Sequence, residues 1–126
     1  ELPELPARSD LLVVAAKVTA ETRGLVSEEV IGRMKASAYF INTARAAVVD
    51  YDALCQALDE GRIAGAALDV LDIEPPPADN PLLHAPNCIV TPHIAWNAIE
   101  ARQRLMQIAA DSLQAFLAGK PVNVVS

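Results

Sequence analysis

The stretch Ala38 to Val70, AYFINTARAAVVDYDALCQALDEGRIAGAALDV, decides the fold. It opens on an apolar run of strand length, Ala38 to Asn42, and closes on another, Gly65 to Val70. Between them Asp50 stands where a helix N-cap belongs. Tyr51, Leu54, Cys55 and Leu58 follow the i, i+3, i+4, i+7 spacing of an apolar helix face, and Gly61 is placed to stop the helix. A strand, a helix and a strand in that span read as one right-handed βαβ unit, which requires a parallel sheet.

Working outward, Leu11 to Ala16 (LLVVAA) is a continuous apolar run, as expected for a strand buried on both faces. Ser27 follows as an N-cap with Glu28 and Glu29 in the first turn, predicting a helix that ends near Met34. Downstream, Cys88 to Thr91 is a fourth strand, so the strands begin at 11, 38, 65 and 88. The last interval differs from the others. Prolines at 75, 76, 77, 81 and 86 forbid a long helix there, and a long ordered loop in a small domain is usually functional. The fold class is therefore α/β with a parallel sheet.

The two ends are read separately. Residues 2–9 read as the end of a short helix broken by Pro3 and Pro6. The longest element follows the fourth strand, with Asn97 as N-cap and Glu100 as its partner three residues on. Leu105, Ile108, Ala109, Ser112, Leu113, Phe116 and Leu117 form its stripe, and Gly119 with Pro121 ends it. The tail Val122 to Val125 has the composition of an edge strand. The chain opens on Glu1 inside a helix-like segment, so we expect a piece of a longer protein.

Composition narrows the function. At 126 residues, 52% hydrophobic and only 4% aromatic, the chain suits one small domain with an aliphatic core. A net charge of -6 with scattered basic residues argues against a nucleic-acid surface. The longest apolar run is far too short to cross a bilayer, so no membrane partner is expected. Cys55 and Cys88 read as buried free thiols in a reducing cytosol, with a single disulfide as the alternative.

In an open parallel sheet, ligands bind at the carboxyl ends of the strands. Asn42-Thr43-Ala44-Arg45 follows the second strand, Asp69 ends the third, Glu74 lies in the proline-rich loop, and His93 follows the fourth. Each has a plain reading too: a surface arginine, a capped aspartate, a solvated glutamate, a structural histidine. Together an acid and an imidazole near strand ends make a candidate acid/base pair. A zinc site would have to use His84, Cys88 and His93, whose spacing fits no common pattern, so no metal is expected. The five glycines include no GxGxxG turn, and neither a GxSxG elbow nor a phosphate loop is present.

Four segments in order, TAETRGLVSEE, MKASAYFINTARAAVVD, ALCQALDEGRIAGAALDVLDIEPPPADNPLL and PNCIVTPHIAW, resemble the D-isomer-specific 2-hydroxyacid dehydrogenase family over essentially the whole chain. The ending TPHIAWNAIEARQRL with QAFLAGKPVNVV is most similar to its glycerate dehydrogenase, or hydroxypyruvate reductase, branch. The resemblance implies a Rossmann-type half domain of about four strands with flanking helices over residues 1–95. Residues 96–126 would be a long helix and tail returning to a substrate domain.

It also implies roles. Arg45 of NTAR would hold a substrate carboxylate and 2-oxo oxygen, its planar fork making two parallel charge-assisted bonds. His93 of TPH would give a proton to the carbonyl oxygen as hydride reaches carbon, and Glu74 would hydrogen-bond His93 and favour its imidazolium. Asp69 of LDV would orient the nicotinamide carboxamide of NAD or NADP. Thr43 and Ala44 would line the cofactor, and Thr19, Ala15 and Lys17 its adenosine side. The partners implied are a small 2-oxo or 2-hydroxy acid and a second copy in a cytoplasmic homodimer.

Two departures bear on these roles. Ala46 stands where the family usually has glycine, and would be strained if that turn needs φ > 0. Ala15-Ala16-Lys17 replaces a common His-x-Pro, which touches the adenine side more than the chemistry. The GxGxxG turn and the residue selecting NAD or NADP would lie before Glu1. The rival from another class is a cofactor-sensing corepressor-like binding module; D-lactate or phosphoglycerate dehydrogenase is the rival within the family.

Overall fold

The computed structural model describes residues 4–125. Four parallel strands, β1 (Leu11–Val14), β2 (Tyr39–Asn42), β3 (Gly65–Leu68) and β4 (Cys88–Val90), lie side by side in chain order. Val13, Ile41, Ala67 and Ile89 fall in one register row across the sheet. The ladders are shorter than the apolar runs that announce them. β1 was expected to reach Ala16 and β3 to reach Val70, but pairing stops at Val14 and Leu68, and Ala15, Ala16 and Val70 turn out to line a cleft.

The helices are α1 (Leu5–Arg8), α2 (Glu28–Gly32), α3 (Tyr51–Asp59) and α4 (Ile99–Leu117). The expected caps are in place: the Ser27 side chain accepts from Val30 N–H, and Asp50 from Ala53 N–H. Each satisfies a donor that the first helical turn leaves orphaned. Gly61 ends α3 at φ 66°, a conformation glycine adopts without a Cβ clash. Between β3 and β4 only a single 3-10 turn forms, Pro81–Leu83, as the prolines require.

Two local expectations fail. Pro6 does not break α1 but sits in its first turn, where a missing N–H costs nothing; Pro3 lies outside the described residues. The Asn97–Glu100 cap does not form either. Asn97 N–H closes a turn onto Ile94 O, which leaves Ala98 as a cap with no side-chain bond.

Since successive strands step in one direction, right-handed crossovers place α2 and α3 on one face of the sheet. There Leu12, Val14, Phe40, Ala66 and Leu68 pack with Ile31, Val48, Leu54 and Leu58 in one core. The opposite face was expected to be buried too, and is not: Leu11 is 60% exposed, Val13 53% and Ile89 67%. Neither crossover helix can reach it. Gly65 is dictated by a close approach, since a Cβ there would stand 2.6 Å from the Asn87 carbonyl oxygen.

The chain divides into two compact units, residues 1–93 and 94–126. The second is built on α4, none of whose residues is buried. Gly119 ends it at φ 70°, and Asn123 Nδ2 donates to Ser112 Oγ at 3.2 Å. Residues 122–125 form no strand. Among the described residues no helix is long and apolar enough to cross a membrane.

Candidate active site

Loops leaving the carboxyl ends of the strands enclose a cleft of about 1180 Å³. After β1 it is walled by Ala15, Ala16 and Lys17, after β2 by Ala44 and Arg45, and after β3 by the segment leading to Glu74. His93, beyond β4, closes it. Of the residues singled out in the sequence, Ala15, Lys17, Ala44, Arg45, Glu74 and His93 meet here. Thr19, Thr43 and Asp69 do not line this cleft. Thr19 instead builds the turn after Lys17: its N–H donates to Thr22 Oγ1 at 2.7 Å, and the Thr22 hydroxyl donates to Lys17 O at 2.6 Å. Thr43 is exposed, and Asp69 is buried at 4% exposure with its Oδ1 accepting from the Thr91 hydroxyl.

The turn carrying Arg45 is held from below. Asn42, fully buried, accepts from Ala44 N–H at 3.0 Å and donates from Nδ2 to Arg45 O at 3.1 Å and to Tyr51 Oη at 2.9 Å. A buried amide is tolerated only when it is satisfied in this way. Arg45 has extended backbone (φ −148°, ψ 146°), and Ala46 opens a 3-10 turn, Ala46–Val48. Ala46 is not among the residues with positive φ, so its methyl group is not strained where the family's usual glycine stands. The exposed Arg45 guanidinium spends one N–H on Ala44 O at 2.7 Å, keeping donors to spare for an anion.

His93 follows Thr91-Pro92 at φ 55°, a left-handed conformation that costs an imidazole-bearing residue roughly 1–2 kcal/mol. Its N–H bonds Thr91 O at 2.9 Å, and its Nδ1 lies 2.7 Å from Glu74 Oε2. Glu74 Oε1 accepts from Leu71 N–H at 2.8 Å. The His93 ring first, and the Leu71 N–H second, hold the Glu74 carboxyl below its ordinary range. The glutamate is an exposed loop residue, as the plain reading has it, but each of its carboxyl oxygens has a partner, Leu71 N–H on one and the His93 ring on the other.

Sequence reasoning missed three contributors. Helical periodicity counts Tyr51 as apolar helix face, yet its hydroxyl donates to Val70 O at 2.5 Å. The sequence sets Asn42 at a strand end and gives it no role, though a polar residue closing a buried strand is the available signal. Arg23 joins Lys17 and Arg45 on the cleft wall, and nothing in its local pattern marks it. Among the described residues no group of three or more potential metal ligands gathers. Cys55 is a buried free thiol as expected; Cys88 is also free but only half-buried, and burial pushes it up to about 11.

A parallel α/β sheet with an arginine and a carboxylate–imidazole pair at its carboxyl edge is the framework of a nucleotide-dependent oxidoreductase domain. Residues 1–95 match the family described as D-isomer specific 2-hydroxyacid dehydrogenase, NAD binding domain, and the chain belongs to that family. It is 45% identical to a hydroxypyruvate reductase of Blautia hydrogenotrophica, over 100% of this chain and 39% of that protein. It superimposes on an acyclic imino acid reductase solved with NADPH and D-Arg at a TM-score of 0.92 and 35% identity, covering 100% of this chain and 40% of the other. A D-isomer specific 2-hydroxyacid dehydrogenase from Lactobacillus delbrueckii ssp. bulgaricus, complexed with NAD, gives 0.90 at 28% identity, covering 100% and 42%. The chain therefore spans about two fifths of the length of the relatives it matches.

Proposed function

We propose that this chain carries the catalytic residues of an NAD(P)-dependent D-2-hydroxyacid dehydrogenase acting on a small 2-oxo acid such as hydroxypyruvate or glyoxylate. The observation that carries the proposal is the Glu74–His93 pair at 2.7 Å, facing the same cleft as Arg45. The cleft fits part of a nicotinamide dinucleotide. Ala15, Ala16 and Ala44 leave a wall low enough for a flat ring or ribose, and Lys17 and Arg23 suit an anionic ligand. The glycine-rich turn that cradles a pyrophosphate is not in this sequence. When bound, the cofactor supplies the hydride.

The protein's own part is binding and proton transfer. Arg45 forks onto the substrate carboxylate and turns the 2-oxo group toward His93. With Nδ1 committed to Glu74, Nε2 of His93 delivers the proton to the carbonyl oxygen and takes it back in the oxidative direction. Glu74 fixes tautomer and orientation, as the carboxylate does for any relayed imidazole. Asp69, Thr43 and Thr19 stand off the cleft wall, and only the family resemblance supports assigning Asp69, held by Thr91, to the nicotinamide carboxamide, Thr43 to the cofactor's lining and Thr19 to its adenosine side. We place the enzyme in the cytosol, a setting in keeping with two free thiols, and as a homodimer that brings the exposed face of β1 and β4 or the α4 stripe under cover.

The test is turnover of the full-length protein with 2-oxo acids and both nicotinamide cofactors. His93→Ala should lower turnover by roughly 10²–10⁴-fold, the usual worth of a general acid, with little change in cofactor affinity. Unchanged turnover removes the assignment.

A further inference from the structure

Asn42, Tyr51, Glu74 and His93 lie on one unbroken hydrogen-bonded path. Asn42 Nδ2 bonds both Arg45 O and Tyr51 Oη. Tyr51 Oη donates to Val70 O at 2.5 Å, and Leu71 N–H donates to Glu74 Oε1 at 2.8 Å. Val70 O and Leu71 N–H are the two ends of one peptide group. A donor on the carbonyl of an amide polarises it and strengthens its N–H as a donor, so bonds in such a chain reinforce one another. Glu74 Oε2 then meets His93 Nδ1.

We propose that Tyr51 is a positioning residue that couples the Arg45 turn to the Glu74–His93 pair through the single peptide group of Val70 and Leu71. The side chain suits the task. Tyr51 is the first residue of α3, anchored by the Asp50 cap, so its ring enters from a rigid element. Burial first, with Asp72, Cys88 and Glu74 adding to it, pushes the hydroxyl up to about 12, so it remains a donor at every working pH. Of the charged groups near Glu74, His93, in direct contact, lowers its carboxyl, and the negative charge of Asp69 raises it. Phenylalanine in its place removes the Tyr51 Oη bond from each of two buried partners, Asn42 Nδ2, which keeps Arg45 O, and Val70 O.

The proposal rests on the functional reading above for its kinetics but not for its coupling, and the two are tested apart. In full-length protein, the ¹³C signal of the Glu74 carboxyl is followed through acid titration in wild type, Tyr51→Phe and Tyr51→2,3,5-trifluorotyrosine. Tyr51→Phe should raise the Glu74 midpoint by about 0.3 pH unit, the size of a modest cooperative contribution to one charge-assisted bond. The fluorinated ring, whose hydroxyl is a stronger donor of nearly unchanged shape, should lower it. If Tyr51→Phe does not fold, the fluorinated variant decides alone. A midpoint that moves in neither variant overturns the coupling, as does a lowered Tm with an unmoved midpoint, the mark of a merely structural tyrosine. In the kinetic arm, Tyr51→Phe should raise KM for the 2-oxo acid about tenfold through the loosened Arg45 turn, with NADPH affinity within about twofold of wild type. An unchanged KM overturns the link to Arg45. Wild-type protein inactive with every 2-oxo acid overturns the functional reading, while the Glu74 titration still decides the coupling.

Discussion

At His93 a left-handed backbone and a carboxylate contact meet in a single residue. Its positive φ aims the ring at Glu74, and the bond at 2.7 Å holds it there. The Glu74 carboxyl is depressed in the folded protein relative to its ordinary 4.5. A depressed acid contributes stability that is complete above the unfolded value and lost as pH falls through the lower folded value. The loop between β3 and β4 should accordingly stay closed above about pH 4.5 and loosen only below it. Hydrogen exchange at the Leu71 amide, which donates to Glu74, reports this directly. In Glu74→Gln the acid-dependent loosening should vanish, and persistence of the same pH dependence would show that another group is responsible. At this scale the motifs made legible that Arg45, Glu74 and His93 meet in one cleft. Tyr51 was hidden, because helical periodicity counts a tyrosine ring as apolar and says nothing of where its hydroxyl ends.

Among the elements, the alternation of strand and helix was legible from caps and stops: Ser27, Asp50 and Gly61 each do what their types allow. The strand ends were not legible, since an apolar run such as Leu11 to Ala16 continues into the cleft wall with no change in residue character. Nor was the uncovered face, because a continuous run is the same whether one or both of its faces are packed in the chain at hand. The Asn97–Glu100 pattern misled for another reason: a backbone turn onto Ile94 moved the cap to Ala98. Gly65 yields the sharpest element-level prediction. Its would-be Cβ meets the Asn87 oxygen that accepts from Ala66 N–H and starts the β3–β4 ladder. Gly65→Ala should force β4 outward and destabilise by roughly 1–3 kcal/mol, the cost of overpacking a close contact. Denaturant unfolding measures it, and a change within about 0.5 kcal/mol would mean the strands part more easily than this packing allows.

At the scale of the whole molecule, the chemistry and the binding surface are unequally represented. Arg45, Glu74 and His93, to which we assign substrate binding and proton transfer, line one cleft, and all belong to the first compact unit. The cradle for a dinucleotide is only partly built. Neutralising a pyrophosphate takes backbone N–H groups at a helix N-terminus behind a glycine-rich turn, and none of the five glycines stands in such a turn. What remains is a wall of small side chains with Lys17 and Arg23, exposed and screened by salt. Micromolar affinity requires about 8 kcal/mol, most of which such a wall cannot supply after the cost of ordering a flexible ligand. The 126-residue chain alone should therefore bind NADH more weakly than roughly 100 µM, with the heat signal falling further as salt is raised. Isothermal calorimetry decides the matter, and a micromolar Kd would mean that the carboxyl-edge cleft holds the dinucleotide without its pyrophosphate turn.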